Sequence, residues 1–180
     1  MKFRTDHIRE SALQLEFLEQ PDSFPVLAAI SASGECSFCG PVAVNISAER
    51  ELNHYRVAGR VRTRIMLDCS RCLAGFEQEI DSSFTIIFRQ HEKNAQEDED
   101  EVELDEQDLV SATFSGDEID LLHEIEEQVA LAVPLKPVCS FNCKGLCPSC
   151  GSDMNTEPCN CTVKPENLKF AALKDFKVRS

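Results

Sequence analysis

The sequence predicts an α+β protein: mainly antiparallel β-sheet curling towards a partial barrel, with one packing helix and a C-terminal cysteine-rich segment of zinc-ribbon type. Three observations carry this. Two long stretches alternate apolar and polar residues with a period of two on either side of Cys69-Ser-Arg-Cys72. One run between residues 117 and 133 repeats its apolar positions at helical spacing. Six of the ten cysteines fall between Cys139 and Cys161, separated by Pro and Gly. The expected organisation is an antiparallel β domain over 1–90, an acidic linker or loop over 91–116, and a helix plus cysteine-rich metal-binding region over 117–180 that packs back on the sheet.

In chain order, Leu13, Leu15 and Phe17 alternate with Gln14, Glu16 and Leu18, and Pro25-Val-Leu-Ala-Ala-Ile30 follows. Both read as edge strands. Cys36-Ser-Phe-Cys39-Gly40 is a two-residue-spaced pair in a turn setting. Val42, Val44 and Ile46 alternate with small or polar neighbours. Tyr55, Val57, Gly59, Val61, Thr63, Ile65 and Leu67 then form one face of a long strand, with His54, Arg56, Arg60, Arg62 and Arg64 on the other. Beyond Cys72, Phe76, Ile80, Phe84, Ile86 and Phe88 alternate with Glu77, Glu79, Asp81 and Arg89. This describes an antiparallel hairpin with one wet face. With Cys69 opposite Cys72, Arg64 faces Glu77, Arg62 faces Glu79 and Arg60 faces Asp81. The arginines therefore read as cross-strand partners rather than a strip tracking an RNA backbone, and no aromatic residues interleave with them to stack bases.

Ser115-Gly-Asp-Glu118 reads as a capping box opening a helix. Ile119, Leu122, Ile125, Val129 and Ala132 line its inner face, its acids point outward, and Pro134 and Pro137 stop it. A last short helix is expected from near Pro165, with Leu168, Ala172 and Phe176 inward.

The net charge of −14 is local. Between His91 and Glu127 there are 16 Asp or Glu against Lys93 alone, whereas the other 143 residues are close to neutral. The run Glu97-Asp98-Glu99-Asp100-Glu101 is a solvated linker or an arm that holds a basic partner. The overall field repels nucleic acid. No apolar stretch approaches the roughly 18 residues that span a bilayer. The N-terminal residues do not resemble an export signal, so the expected setting is the cytoplasm with reduced thiols.

Reduced cysteines at this density read as ligands for a thiophilic ion, with tetrahedral Zn2+ as the default. The ten form five close pairs, and a four-thiolate site takes two. The local grouping joins Cys147 and Cys150 with Cys159 and Cys161, leaving Cys69 and Cys72 to meet Cys139 and Cys143 when the tail folds back. Cys36 and Cys39 compete as partners for Cys69 and Cys72. Cys143-x3-Cys147-x2-Cys150 also has the spacing of a radical-SAM cluster loop, although only 30 residues follow Cys150. No open coordination position with a nearby general base is apparent. A structural ion is expected, and no catalytic residue is assigned.

One resemblance spans roughly Val57 to Leu173. Leu67-Asp-Cys69-Ser-Arg-Cys72-Leu, an acidic stretch, Ile119-Asp-Leu, Glu127-Gln-Val-Ala-Leu-Ala-Val-Pro-Leu-Lys-Pro137, and Cys139…Cys143-Lys-Gly-Leu-Cys147-Pro-Ser-Cys150-Gly resemble, in that order, the bacterial YceD family. The Cys36/Cys39 pair has no place in that pattern. The resemblance implies a cytoplasmic, non-enzymatic factor for accumulation or maturation of 23S ribosomal RNA. It also implies a link to 50S assembly through a pre-50S particle or a basic ribosomal protein, the large-subunit zinc-ribbon protein among the candidates. Some family members lack most of these cysteines, so metal does not define the family's activity. Direct RNA contact stays open, and a zinc-ribbon adaptor on a transcription or other protein complex is the alternative.

Overall fold

The computed structural model describes residues 1–8, 11–91, 111–157 and 159–161. The expected acidic arm, including Glu97 to Glu101, and the expected C-terminal helix around Leu168, Ala172 and Phe176 lie outside them. The described part is mostly sheet with two α-helices. Strands β1 (Lys2–Arg4), β2 (Leu13–Glu19), β3 (Ser37–Phe38), β4 (Val42–Glu51), β5 (His54–Asp68), β6 (Gly75–Gln90), β7 (Ser111–Phe114) and β8 (Glu118–Asp120) are joined by α1 (Pro25–Ser33) and α2 (Leu122–Ala132). None of the described helices is long and apolar enough to cross a membrane.

The main sheet is open, in the order β2-β4-β5-β6-β7, with β3 also pairing with β5. Its pairs are antiparallel except β6 with β7, which is parallel. The expected antiparallel sheet thus gains a parallel edge from Ser111–Phe114, a stretch read above as linker or loop. Tyr55 on β5 meets Phe114 on β7 edge to face, ring centroids 5.6 Å apart. A second two-stranded sheet pairs β1 with β8.

The β5–β6 hairpin is the backbone of the molecule. Val57, Val61, Ile65, Ile80 and Phe88 on its inner face are buried, as are Val42, Val44 and Ile46 from β4. The strands pair with Asp68 opposite Gly75, so the connection is a six-residue loop, Cys69 to Ala74, rather than a turn centred between Cys69 and Cys72. The register is therefore two residues from the expected one. Arg62 stands across from Asp81 and Arg64 from Glu79. A shift of two preserves the faces, and the ion pairs form diagonally: Arg60 grips Asp81, and Arg64 Nη1 lies 3.0 Å from Glu77 Oε1. No Arg62–Glu79 pair forms among the described residues. Gly59 sits opposite Phe84 because the ring occupies its missing side chain: a Cβ there would lie 2.4 Å from Phe84 Cζ and 2.8 Å from Ile46 Cδ1.

Two helices, not one, cover the inner face. Pro25 to Ser33 is helical rather than the expected edge strand, with Pro25 in the first turn and Gly34 ending it at φ 79°. Pro at the start and left-handed Gly just past the end are helix punctuation, and they outweigh the short apolar run. The expected capping box also fails. Gly116 and Asp117 turn the chain, Glu118–Asp120 pairs with β1, and α2 starts only at Leu122, whose N–H donates to Asp120 Oδ1 at 3.1 Å. Ile119 is buried all the same, as a strand residue. Ile125 and Val129 are fully buried in the core, and the helix ends at Ala132 ahead of Pro134, as its periodicity predicts.

The acids of α2 do not all face outward. Glu126 is buried and accepts a 3.0 Å bond from the Val26 N–H, in the first turn of α1. A carboxylate there meets unpaired helix N–H groups and the positive end of the helix dipole, which repays its burial. The two helices are thereby joined through a polar contact over the apolar sheet face.

Candidate metal centres

The hairpin loop and the cysteine-rich segment meet at the end of the sheet. The Ser70 N–H and hydroxyl both donate to the Pro137 carbonyl, at 2.8 and 2.9 Å. Arg71 donates through Nη1 to the Cys143 carbonyl at 3.0 Å, and its own carbonyl accepts from the Leu146 N–H at 2.9 Å. Gly145 makes that approach possible, since at φ 74° a Cβ would lie 2.9 Å from the Arg71 carbonyl oxygen. These contacts place Cys139 and Cys143 beside Cys69 and Cys72.

The four sulfurs of Cys69, Cys72, Cys139 and Cys143 all lie within 4.8 Å of one another. Cys69 and Cys143 Sγ are 3.8 Å apart, and Cys72 and Cys139 Sγ are 3.7 Å apart. Those separations are too long for disulfides. A tetrahedral Zn2+ with Zn–S near 2.3 Å would set its sulfurs about 3.8 Å apart, so the residues fit that ion. Cys147, Cys150, Cys159 and Cys161 form a second group within the same limit. A short loop shapes it: the Cys147 N–H donates to the Ser152 carbonyl, the Gly151 N–H donates to the Cys147 carbonyl, and Leu146 bridges Asp153. That single bridge is the strand pairing of the segment among the described residues, so the expected ribbon reduces to one cysteine knuckle.

The radical-SAM-like spacing does not survive this arrangement. Cys143 belongs to the first group, whereas Cys147 and Cys150 belong to the second. Cys36 and Cys39 join neither group. Cys36 is buried in the main core and Cys39 is exposed, on either side of β3.

The electrostatics of each group suit a bound cation. Backbone hydrogen bonding pulls the Cys69 thiol down to about 6, and hydrogen bonds from Ser152 pull Cys150 to about 6. Their neighbours move the other way. Cys139 is pushed up to about 12 by desolvation of its sulfur and by the adjacent Cys143 and Cys72, although the residue as a whole is exposed. Cys161 is pushed up to about 12 by Cys150 beside it. Each group readily holds some negative charge but resists four thiolates without a positive ion among them. Asn155 adds support around the first group. Its Nδ2 donates to Cys143 Sγ at 3.4 Å, and its Oδ1 accepts from the Lys144 N–H at 2.8 Å. Asn155 is marked by no motif in the sequence, whereas Ser70 sits inside the Cys69-Ser-Arg-Cys72 motif and the glycine of Cys143-Lys-Gly-Leu-Cys147 is a visible turn signal.

Comparison with known proteins bears on the same residues. The profile described as large ribosomal RNA subunit accumulation protein YceD matches residues 57–177. The chain belongs to the YceD family. All eight grouped cysteines lie within the matched region, and Cys36 and Cys39 lie outside it. A maize protein named as a chloroplastic YceD homologue is 31% identical over 87% of this chain and 62% of its own length. Its Arabidopsis thaliana namesake is 28% identical over 76% of this chain and 49% of its own length. An uncharacterized Mycobacterium tuberculosis protein is 33% identical over 57% of this chain and 46% of its own. The chain thus spans between about half and three-fifths of the curated relatives it matches. No solved structure matches.

Proposed function

We propose that this YceD-family chain is a non-enzymatic factor in the accumulation of large-subunit ribosomal RNA, acting in 50S assembly by binding a basic ribosomal protein. The observation that carries it is membership of a family whose curated relatives are named for that accumulation. The charge distribution supports the partner class. The acidic residues cluster between His91 and Glu127, and Glu97, Asp98, Glu99, Asp100 and Glu101 form their densest run. Ribosomal proteins are basic, and such a run would attract one and release it once rRNA competes. The arginines of the sheet support the same choice, because Arg60 and Arg64 are engaged with Asp81 and Glu77 rather than free for phosphate. Each cysteine group offers a complete four-thiolate set, which favours two structural Zn2+ ions over a catalytic one. The protein works in the cytoplasm, where its thiols stay reduced.

Binding of purified chain to basic large-subunit ribosomal proteins, measured against salt with and without residues 92–108, tests the reading. Tight binding that weakens steeply with salt and disappears on deletion is expected. Affinity unchanged by the deletion would remove the acidic run from the mechanism. Co-purification with RNA polymerase instead of pre-50S particles would favour the adaptor alternative.

A further inference from the structure

We infer that the two cysteine groups are unequal devices: the first is a permanent clamp, and the second is a redox-releasable zinc site that peroxide empties while the sheet and the clamp stay intact. The inference rests on the proposal that both groups bind Zn2+, and it concerns what the second one does.

The first group is built into the body. Cys69, Cys72 and Cys143 are buried, with Phe76 and Leu146 packed against them, and only Cys139 is exposed. Its four residues come from chain segments 67 or more residues apart. The Ser70–Pro137, Arg71–Cys143 and Leu146–Arg71 hydrogen bonds also tie these segments together. An oxidant reaches the three buried sulfurs poorly, and the exposed Cys139 could pair only with one of them, pulling against the packed hairpin.

The second group has the opposite character. Its residues all come from the 15 positions between Cys147 and Cys161, Cys150 and Cys161 are exposed, and Cys159 is half-buried. Leu146 anchors the Cys147 end to the body, and Met154 and Asn155 tie the loop after Ser152 to Gly145, Lys144 and Cys143, whereas among the described residues no hydrogen bond ties Cys159 or Cys161 to the body. Cys150 Sγ lies 3.2 Å from the Ser152 hydroxyl, which can donate to a thiolate there. An exposed sulfur with a hydroxyl 3.2 Å away and three other cysteine sulfurs within 4.8 Å is the setting of a redox-sensitive cysteine with a resolving partner.

The chemistry balances with hydrogen peroxide as oxidant. The Cys150 thiolate attacks one peroxide oxygen and the O–O bond breaks, giving a sulfenic acid and hydroxide. The Cys161 thiolate then attacks that sulfur and displaces a second hydroxide, forming the Cys150–Cys161 disulfide. The two thiolates lose two electrons, peroxide gains them, and two protons complete two waters. The site is left with two thiolates, and Zn2+ is released. A thiol reductant reverses the step.

The experiment uses full-length, metal-loaded chain whose zinc content is measured first. Absence of zinc would remove the metal reading itself and is thus distinct from failure of this inference. With about two zinc per chain, sub-millimolar peroxide is added while a chromogenic chelator reports release and circular dichroism reports the sheet. One equivalent is expected to leave on the order of tenfold or more faster than the other, with the sheet signal unchanged and a Cys150–Cys161 disulfide in the peptide map. Dithiothreitol plus zinc should restore the second equivalent. The double variant Cys150→Ser, Cys161→Ser should hold one zinc and release none in the fast phase. Two equivalents lost at one rate, release only with loss of the sheet signal, or first oxidation mapped to Cys69, Cys72, Cys139 or Cys143 would overturn the inference. If the double variant does not fold, the wild-type time course and peptide map decide alone.

Discussion

The sheet body and the cysteine-rich segment are stabilised by different physics. The body buries a continuous apolar set from β4, β5, β6, α1 and α2, including Val44, Val57, Ile65, Phe88 and Ile125. Burial on that scale supplies its own driving force. The segment from Pro134 to Cys161 has almost nothing comparable. Among its described residues only Cys143, Gly145 and Cys147 are buried, Cys143 in a small cluster shared with Cys69 and Cys72 of the hairpin loop, while Leu135 and Phe141 are 99% and 93% exposed. Where apolar burial is this scarce, a few hydrogen bonds, together with any ion the cysteine groups hold, take the place of a core. The molecule therefore has one part that repacking mutations should damage and another that only ligand or backbone changes should.

The sharpest way to break this division is Cys143→Ser. It removes a buried ligand from the clamp, so one zinc per chain should be lost and the segment after Val133 should become protease-sensitive, while the dichroism of the sheet persists. Elemental analysis and limited proteolysis check it, and a segment that stays protected would mean that the hydrogen bonds of Ser70 and Arg71 suffice. Phe88→Ala should do the reverse. Emptying a site only 2% exposed costs about 3–5 kcal/mol, read as a lower denaturation midpoint, with zinc content unchanged in the folded protein. Gly59→Ala should cost about 1–3 kcal/mol by forcing a methyl against Phe84 and Ile46. Phe84→Leu in the same chain should recover part of it.

The smallest effect is expected at the exposed Arg60–Asp81 pair. Arg60 holds the Asp81 carboxyl below its ordinary value by a hydrogen bond, so the pair stabilises above the unfolded carboxylate pKa and fades as pH falls through the depressed one. Arg60→Ala should barely move the denaturation midpoint at neutral pH, less still in high salt, and its difference from wild type should vanish in acid. A large change would mean that the wet face of the sheet carries more than paired charges.

The legible parts of the fold are those written in short-range pattern. The period-two runs from His54 to Leu67 and Phe76 to Phe88 specify which side chains face inward, and the structure agrees residue by residue. The register was not legible, because the loop between Cys69 and Ala74 holds two more residues than a turn centred on the cysteines. An even shift leaves every face where alternation puts it. Pro25–Ser33 and Glu118–Asp120 were misread for a common reason. Each is too short for periodicity to decide, so local signals competed: an apolar run hid a helix, and Ser115 with Glu118 imitated a helix start where β1 instead claimed the strand.

Of the cysteine site, the density of thiols and their two-residue spacers mark the chemistry without a structure. Membership of the YceD family is legible too, through the ordered motifs from Cys69 to Cys150. By itself the sequence determined the close cysteine pairs, the faces of the hairpin and the place of the negative charge, because each follows from residues close together in the chain. Tertiary structure alone decided that β7 joins β6 in parallel, that Glu126 turns inward to meet α1, and that Cys69 and Cys72 meet Cys139 and Cys143 rather than Cys36 and Cys39. Those are contacts between distant segments, selected by which surfaces the whole molecule can bury and which backbone groups it can pair, and no local pattern encodes that choice.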